Sequence, residues 1–211
     1  PRASISDVDA AVLAANQALP KWAALTMLQR ADWLDKIADA LEEIKEEIAQ
    51  IESLDTGKPI SLARSVDATR SISNFRFFAK FARGQEPITF EMPDAINYVH
   101  TSPLGIVGLI TPWNLPLYLL TWKVAPALLM GNCIIAKPSE ITPLTADLLA
   151  QTMQRIKLPN GVFNLVHGLG PEVGQAILEH PDITGISFTG GTATGRIVAR
   201  TAAPLFKKLS L

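Results

Sequence analysis

The sequence has a single cysteine and no excess of either charge. Cys133 alone rules out an intrachain disulfide and is typical of a reducing compartment, so we expect a cytoplasmic location. The 19 Lys and Arg residues nearly balance the 20 Asp and Glu residues and form no basic cluster, so neither nucleic acid nor a membrane surface is an expected partner. The longest apolar run, residues 115–130, is interrupted by prolines and a lysine and falls short of the ~20 apolar residues that a membrane-spanning helix needs. The 3 histidines lack the spacing of metal ligands, and we expect no metal site.

The first 85 residues have the pattern of amphipathic helices. One helix is predicted to begin near Ser6 and to stop at Pro20. Another begins at Thr26, which opens a Thr-x-x-Gln capping box, and its apolar residues recur every three or four positions up to Ile51. This stretch is predicted to end at Gly57 and is long enough to form two helices, although the pattern shows no break.

A third helix is predicted over residues 65–83, closed by Gly84, with its aromatic side chains facing the core: Phe75, Phe78 and Phe81. Residues 86–102 then change in character. Segments 88–90 and 97–99 have β propensity, and a Met-Pro-Asp turn lies between them. We predict a protruding β-hairpin with an exposed edge that seeks a partner strand.

After Pro103 the pattern becomes strand followed by helix, repeated along the chain. The predicted strands are 105–110, 133–137, 162–166 and 183–189, and the helices that follow them are 117–130, 143–156, 172–178 and 194–201. Such serial βα units predict an α/β fold, with a Rossmann-like parallel sheet and helices on both of its faces. A fifth strand begins at 208–211. The predicted regions are therefore N-terminal helices (1–85), a hairpin (86–102) and a Rossmann-like region (103–211).

Two polar loops follow the first two strands of this sheet. The first, 110–116, reads Ile-Thr-Pro-Trp-Asn-Leu-Pro, and the second, 137–140, reads Lys-Pro-Ser-Glu. The carboxyl ends of parallel strands are where open sheets bind their ligands. We therefore expect the indole, carboxamide, ammonium and carboxylate of these loops to form one site.

Six short motifs occur in an order and spacing that identify one large family: 54–59 (LDTGKP), 112–116 (PWNLP), 122–126 (WKVAP), 131–132 (GN), 137–140 (KPSE) and 188–190 (FTG). Over nearly its whole length the sequence resembles the NAD(P)-dependent aldehyde dehydrogenases. Residues 74–78 and 115–123 are most similar to the branch that acts on 2-aminomuconic or 2-hydroxymuconic semialdehyde. The resemblance implies oxidation of an aldehyde to a carboxylic acid with NAD. It also implies a homo-oligomer, in which the hairpin adds strands to a neighbouring subunit's sheet.

The candidate catalytic residues are Asn114 and Lys123. Asn114 is flanked by prolines that stiffen its backbone, and a preset carboxamide N–H suits a developing oxyanion, which is the role that the resemblance implies. The alternative is an Asn that bonds its own turn. Lys123 is expected by default to pack its stem on apolar surface with its ammonium in water, although some relatives use the matching Lys in a proton relay.

The cofactor-binding prediction rests on a charged pair and two glycine-rich turns. Lys137 and Glu140 would hold the ribose hydroxyls of adenosine, and the carboxylate would repel a 2′-phosphate, which favours NAD over NADP; a surface ion pair is the alternative. The turns are 168–174, where the resemblance implies a close approach of the adenine, and 188–195, which opens a helix suited to a pyrophosphate. Gly191 is often Ser in the family, so one hydroxyl contact is missing, and either cofactor binding is weaker or Thr192 compensates. The candidate cofactor residues are Ile110, Thr111, Pro112, Trp113, Lys137, Ser139, Glu140, Gly170, Gly174, Phe188, Thr189, Gly190, Gly191, Thr192 and Gly195.

Cys133 begins the predicted strand 133–137, where a buried thiol behaves as an inert hydrophobe. The family's nucleophilic Cys and general-base Glu lie further along than Leu211, so the resemblance implies a partial enzyme without its catalytic region, inactive alone. Two alternatives stay open. One is a non-catalytic NAD-binding or oligomerisation protein, and the other is kinship with the acyl-phosphate or CoA-linked reductases.

Overall fold

The N-terminal part of the chain is helical. The computed structural model describes residues 2–86 and 88–211, in which α1 spans Ile5–Ala23, α2 Met27–Glu43 and α3 Lys45–Thr56. The stop predicted at Pro20 is wrong, because α1 continues to Ala23. Trp22 is buried in the core, and this burial stabilises a last turn that the proline alone would have ended.

The long amphipathic stretch after Thr26 is two helices. The predicted capping box is present, since the Thr26 hydroxyl accepts from the Gln29 N–H and the Gln29 side chain accepts from the Thr26 N–H. The break that the pattern did not reveal lies at Ile44, whose φ of -110° and ψ of 20° are not helical. Gly57 ends α3 in the left-handed conformation with a φ of 75°, as predicted.

The third helical segment begins earlier than predicted. A turn, α4 (Ile60–Leu62), leads through a π-helical segment, Ala63–Ala68, into α5 (Thr69–Arg83). Phe75 is buried and Phe78 half-buried, but Phe81 is exposed, so the inward orientation predicted for Phe81 is wrong. Three residues fall short of a 3.6-residue turn, and a series spaced by three therefore rotates away from the core.

The predicted hairpin is present. Strands β1 (Thr89–Met92) and β2 (Ala95–Tyr98) pair antiparallel, with Met92 opposite Ala95 across the turn. Every residue of both strands is exposed, although the side chains include large apolar ones. The hairpin thus stands away from the core.

The rest of the chain builds one parallel five-stranded sheet in the order β5-β4-β3-β6-β7. Its strands are β3 (Ile106–Ile110), β4 (Cys133–Lys137), β5 (Phe163–Leu165), β6 (Ile183–Phe188) and β7 (Lys208–Ser210). The helices between them are α6 (Pro116–Leu129), α7 (Leu144–Arg155), α8 (Gln175–Glu179), which continues a π-helical turn at Gly170–Gly174, and α9 (Thr192–Ala202). The predicted α/β fold is confirmed.

The sheet changes direction between β3 and β6. From β3 the chain moves outward to β4 and β5, and then crosses back to β6 on the other side of β3. Right-handed crossovers place α6 and α7 on one face and α8 and α9 on the other, which agrees with the packing of α6 on α7 and of α8 on α9. The carboxyl ends of β3 and β6 therefore diverge around a crevice, the usual ligand site of such sheets. Among the described residues, no helix is long and apolar enough to cross a membrane.

Candidate functional site

A cleft of about 510 Å³ lies at the crevice between β3 and β6. Register explains which residues meet there, because Ile110 at the end of β3 lies beside both Lys137 of β4 and Phe188 of β6. The Thr189 N–H also donates to the Ile110 carbonyl at 3.0 Å. The cleft brings together most of the cofactor residues predicted from sequence: Ile110, Thr111, Pro112, Lys137, Ser139, Glu140, Gly170, Gly174, Phe188, Thr189, Gly190 and Gly191.

Three of the predicted cofactor residues do not line this cleft. Trp113 is 58% exposed, and its backbone carbonyl accepts from the Thr142 hydroxyl at 3.4 Å. Thr192 and Gly195 line a neighbouring depression of about 490 Å³, together with Arg196 and Leu211. The single site expected from the two polar loops is therefore divided, because neither Trp113 nor Asn114 lines the main cleft, whereas Lys137 and Glu140 do.

The sequence analysis missed several residues of the cleft wall: Pro171, Gln175, Leu178, Thr194, Ile197 and Val198. They come from the helical segments that follow the two glycine-rich turns. The sequence pattern that could have revealed them is helical spacing, since Leu178 lies four residues after Gly174 and Ile197 lies three residues after Thr194. Once one residue of a helix faces a cleft, its neighbours at three and four positions face it too.

Lys137 and Glu140 form an ion pair at the rim of the cleft, with Nζ and Oε2 3.2 Å apart. Lys137 is only 2% exposed, and its ammonium also donates to the Pro138 carbonyl at 3.0 Å. Partial burial opposes ionisation of Glu140, but a hydrogen bond from its own backbone N–H and the Lys137 charge together lower the pKa of that carboxyl. The pair offers one buried donor and one ionised acceptor side by side. An ordinary surface ion pair would leave both groups in water.

The glycines of the cleft leave room where a ligand would approach. A Cβ at Gly191 would meet no atom within 4 Å, and one at Gly174 would meet only the Lys137 side chain at 3.8 Å. Gly190 is different, because a Cβ there would lie 2.4 Å from the Phe188 ring. Gly191 also precedes α9 as its N-cap without a side-chain cap, so the first N–H groups of that helix lack intrahelical partners. An open helix N-terminus of this kind suits a phosphate group.

Asn114 lies in the loop between β3 and α6 and is exposed. Within residues 2–86 and 88–211, its carboxamide makes no hydrogen bond, so the alternative of an Asn that bonds its own turn is not observed. Only its backbone carbonyl is engaged, and it accepts from Lys58 Nζ at 3.3 Å. The carboxamide is thus available to a ligand.

Lys123 does not extend into water, contrary to the default expectation. Its ammonium donates to the Ser187 hydroxyl of β6 at 2.7 Å, and burial lowers the pKa of this lysine to about 8. It lines a second cleft, of about 650 Å³, on the α6 face of the sheet, with Phe78, Trp122 and the strand β7. A lysine with such a pKa exchanges protons near neutral pH.

Cys133 is fully buried at the amino end of β4, opposite to the strand ends that form the site. Burial raises the pKa of its thiol to about 12, so the thiolate is scarce at neutral pH. This confirms the predicted burial of Cys133 in the strand. The described residues contain no cluster of His, Cys, Asp and Glu that could hold a metal ion.

Comparison with known proteins agrees with this site. The model of the aldehyde dehydrogenase family matches residues 1–211, and the chain belongs to that family. It is 47% identical over 213 residues to the 2-aminomuconic semialdehyde dehydrogenase of Danio rerio, covering 100% of this chain and 44% of that protein. It is 49% identical over 211 residues to the 2-aminomuconic 6-semialdehyde dehydrogenase of Pseudomonas sp, covering 96% of this chain and 43% of that protein.

Solved structures give the same assignment. PnpE, solved in complex with nicotinamide adenine dinucleotide, superimposes with a TM-score of 0.95 at 44% identity, covering 100% of this chain and 43% of PnpE. The resemblance to the family and to its muconic semialdehyde branch, inferred from motifs, is confirmed. The chain spans less than half the length of the curated relatives that it matches.

Proposed function

We propose that this chain is the cofactor-binding part of an NAD-dependent aldehyde dehydrogenase that oxidises a muconic-type semialdehyde to a carboxylic acid. The observation that carries the proposal is the buried Lys137 paired with ionised Glu140, at the rim of a glycine-walled cleft where the sheet changes direction. The substrate class rests on the names of the two relatives.

In this proposal the cleft residues bind and orient the cofactor. NAD, when bound, supplies the acceptor for the hydride. Lys137 donates to ribose hydroxyls with the remaining N–H of its ammonium, and Glu140 accepts from them. Gly170 and Gly174 permit close approach of the adenine, and the N-terminus of α9 faces the phosphates.

Asn114 and Lys123 carry the proposed chemistry of this part. The free carboxamide of Asn114 donates to the oxygen of the aldehyde carbon as negative charge develops there. Lys123 passes a proton along the α6 face, a role supported by its pKa of about 8 and its hydrogen bond to Ser187. The nucleophilic thiol comes from outside the described residues, because Cys133 is buried far from Asn114's strand end.

A second candidate is a non-catalytic NAD-binding or oligomerisation protein of the same family. The burial of Cys133 favours it for the isolated chain, as does the exposed hairpin, through which we propose a homo-oligomer. A cytoplasmic location is part of both proposals, on the ground that the sequence has a single cysteine, as is typical of a reducing compartment.

The experiment that tests the proposal is calorimetric titration of the chain with NAD, followed by an assay of NADH absorbance with a semialdehyde. We expect binding without turnover, and loss of binding in Lys137→Met but not in the matched surface variant Lys45→Met. Absence of NAD binding would contradict the proposal. Turnover that Cys133→Ser abolishes would contradict the argument from burial.

In an active protein that contains this chain, Asn114→Ala is expected to lower kcat by ~10²-fold or more, with NAD affinity nearly unchanged, as for loss of one oxyanion donor. Normal turnover in this variant would remove Asn114 from the chemistry.

A further inference from the structure

Three ionisable side chains form a buried cluster beneath the loop that carries Asn114. Glu52 of α3 and Asp67 of the π-helical segment are both fully buried, and the side chain of Lys58, from the turn between them, is 11% exposed. Buried charges are costly unless they are paired, so each of these residues needs its partners.

Lys58 is the centre of the cluster. Its Nζ lies 2.9 Å from Asp67 Oδ1 and 3.5 Å from Glu52 Oε1. Its third contact is the Asn114 carbonyl at 3.3 Å. The ammonium therefore donates hydrogen bonds to Asp67 and to the backbone of the candidate oxyanion residue, and Glu52 lies beside it at ion-pair distance.

The loop from Pro112 to Leu115 has few other attachments. Among the described residues, two side chains hold it by its backbone carbonyls: Thr142 donates to Trp113 at 3.4 Å, and Lys58 donates to Asn114. A hydrogen bond from an ionised donor is about twice as strong as one between neutral groups. Lys58 thus provides the stronger of these two attachments. The orientation of the Asn114 peptide group decides where its Cα–Cβ bond points, and so where the carboxamide lies.

We propose that Lys58, held by Asp67 and Glu52, is a positioning residue that fixes the backbone of Asn114 for oxyanion binding. This inference rests on the role of Asn114 in the proposed function. Lys58 contacts no reacting atom; it acts through the Asn114 carbonyl.

The test uses Lys58→Met, which keeps most of the stem and removes the charge, with Lys45→Met as the matched control, since Lys45 pairs with Glu42 on the surface. The first readout is the NMR signals of the Asn114 backbone carbonyl and carboxamide in the labelled chain. We expect both to shift in Lys58→Met, to recover in Lys58→Arg and to stay fixed in Lys45→Met. Unchanged Asn114 signals in a folded Lys58→Met chain would overturn the proposal.

If Lys58→Met does not fold, Asp67→Asn takes its place, because it keeps Lys58 and removes only the charge of its nearest partner. The same displacement of the Asn114 signals is expected in Asp67→Asn. Unmoved signals there would equally overturn the proposal.

The second readout is kinetic, in an active protein that contains this chain. Lys58→Met should lower kcat by about 10-fold or more, with KM for NAD unchanged, because small displacements of a catalytic group are expensive. Failure of the positioning role of Lys58 can be distinguished from failure of the proposed function. The NMR shifts need neither NAD nor turnover, whereas an inert Asn114→Ala substitution would end the proposed role of Asn114 while leaving the Lys58 contact intact. A normal kcat in Lys58→Met would refute the proposal that Lys58 positions Asn114.

Discussion

At the scale of single residues, burial sets the protonation chemistry of two side chains, one on β4 and one on α6. The same desolvation raises the pKa of the Cys133 thiol to about 12 and lowers that of the Lys123 ammonium to about 8, because it disfavours whichever form is charged. The thiol is thereby kept protonated, and the pKa of the ammonium is brought close to neutral pH. The residue type alone predicts neither pKa, because the fold decides how deeply each group is buried.

Glu140 should contribute to the choice between NAD and NADP. If Glu140 faces the ribose, as we propose, its ionised carboxyl repels a 2′-phosphate. Glu140→Gln is then expected to narrow the ratio of the dissociation constants for NADP and NAD by a factor of about 5, the effect of roughly 1 kcal/mol between partly screened charges. The measurement is calorimetric titration with each nucleotide. Glu43→Gln, which removes a surface partner of Arg155, is the control. A ratio identical to that of the native chain would mean that Glu140 does not face the ribose.

Substitution of the adjacent glycines Gly190 and Gly191 should have opposite effects on the stability of the fold. Gly190→Ala forces a Cβ against the Phe188 ring and is expected to destabilise the fold by about 1–3 kcal/mol, as overpacking does. Gly191→Ser meets open space at an N-cap, so it should keep or slightly raise the melting temperature. The added hydroxyl should tighten NAD binding about 3- to 10-fold, the worth of one hydrogen bond. Thermal melts and NAD titrations check both variants, and equal melting temperatures would refute the steric argument.

At the scale of elements, α3 and the π-helical segment are coupled through the buried pair of Glu52 and Asp67. Burial, opposed in part by the Lys58 charge and reinforced by the Asp67 charge, raises the pKa of Glu52 from 4.5 to about 7. The carboxyl therefore stays protonated in the folded chain at pH values where the unfolded chain has released that proton. The titratable groups that face it are Asp67 and Lys58.

This titration predicts how stability depends on pH. Because the folded state binds the extra proton between pH 4.5 and about 7, the contribution of Glu52 to the free energy of unfolding falls as the pH rises across that window. Glu52→Gln lacks the titration. Its melting temperature relative to the native chain should therefore rise between these two pH values, whereas Glu43→Gln, at an exposed position, should follow the native curve. Parallel curves for Glu52→Gln and the native chain would contradict the shift.

At the scale of the whole molecule, the hairpin of β1 and β2 exposes apolar side chains that the core does not use. Phe90 is 59% and Ile96 68% exposed. Their joint replacement by Ser should cost the monomer little stability, because the side chains are already in water. If the hairpin joins subunits, the same replacement should lower the mass measured by light scattering. Leu54→Ser, at a 78% exposed position on α3, is the control. An unchanged mass of an oligomeric chain would exclude the hairpin as its interface.

Local patterns determined much of this protein. The capping box at Thr26, the left-handed Gly57, the hairpin turn and the serial βα units each depend on residues within a few positions, and the structure has all of them. The motifs also determined the family, and parallel strands determined that the loops after β3 and β4 would lie at one edge of the sheet. Neighbouring residues carry this information because helix periodicity and turn geometry are short-range.

Only the tertiary structure decided which side chains meet. Burial of Trp22 extends α1 past Pro20, Trp113 does not line the cleft, and Lys123 donates to Ser187 instead of extending into water. Lys58 reached the Asn114 carbonyl across more than fifty positions of sequence, and no periodicity links the two. These contacts depend on how helices pack on the sheet, so their energies arise from groups brought together only when the core forms.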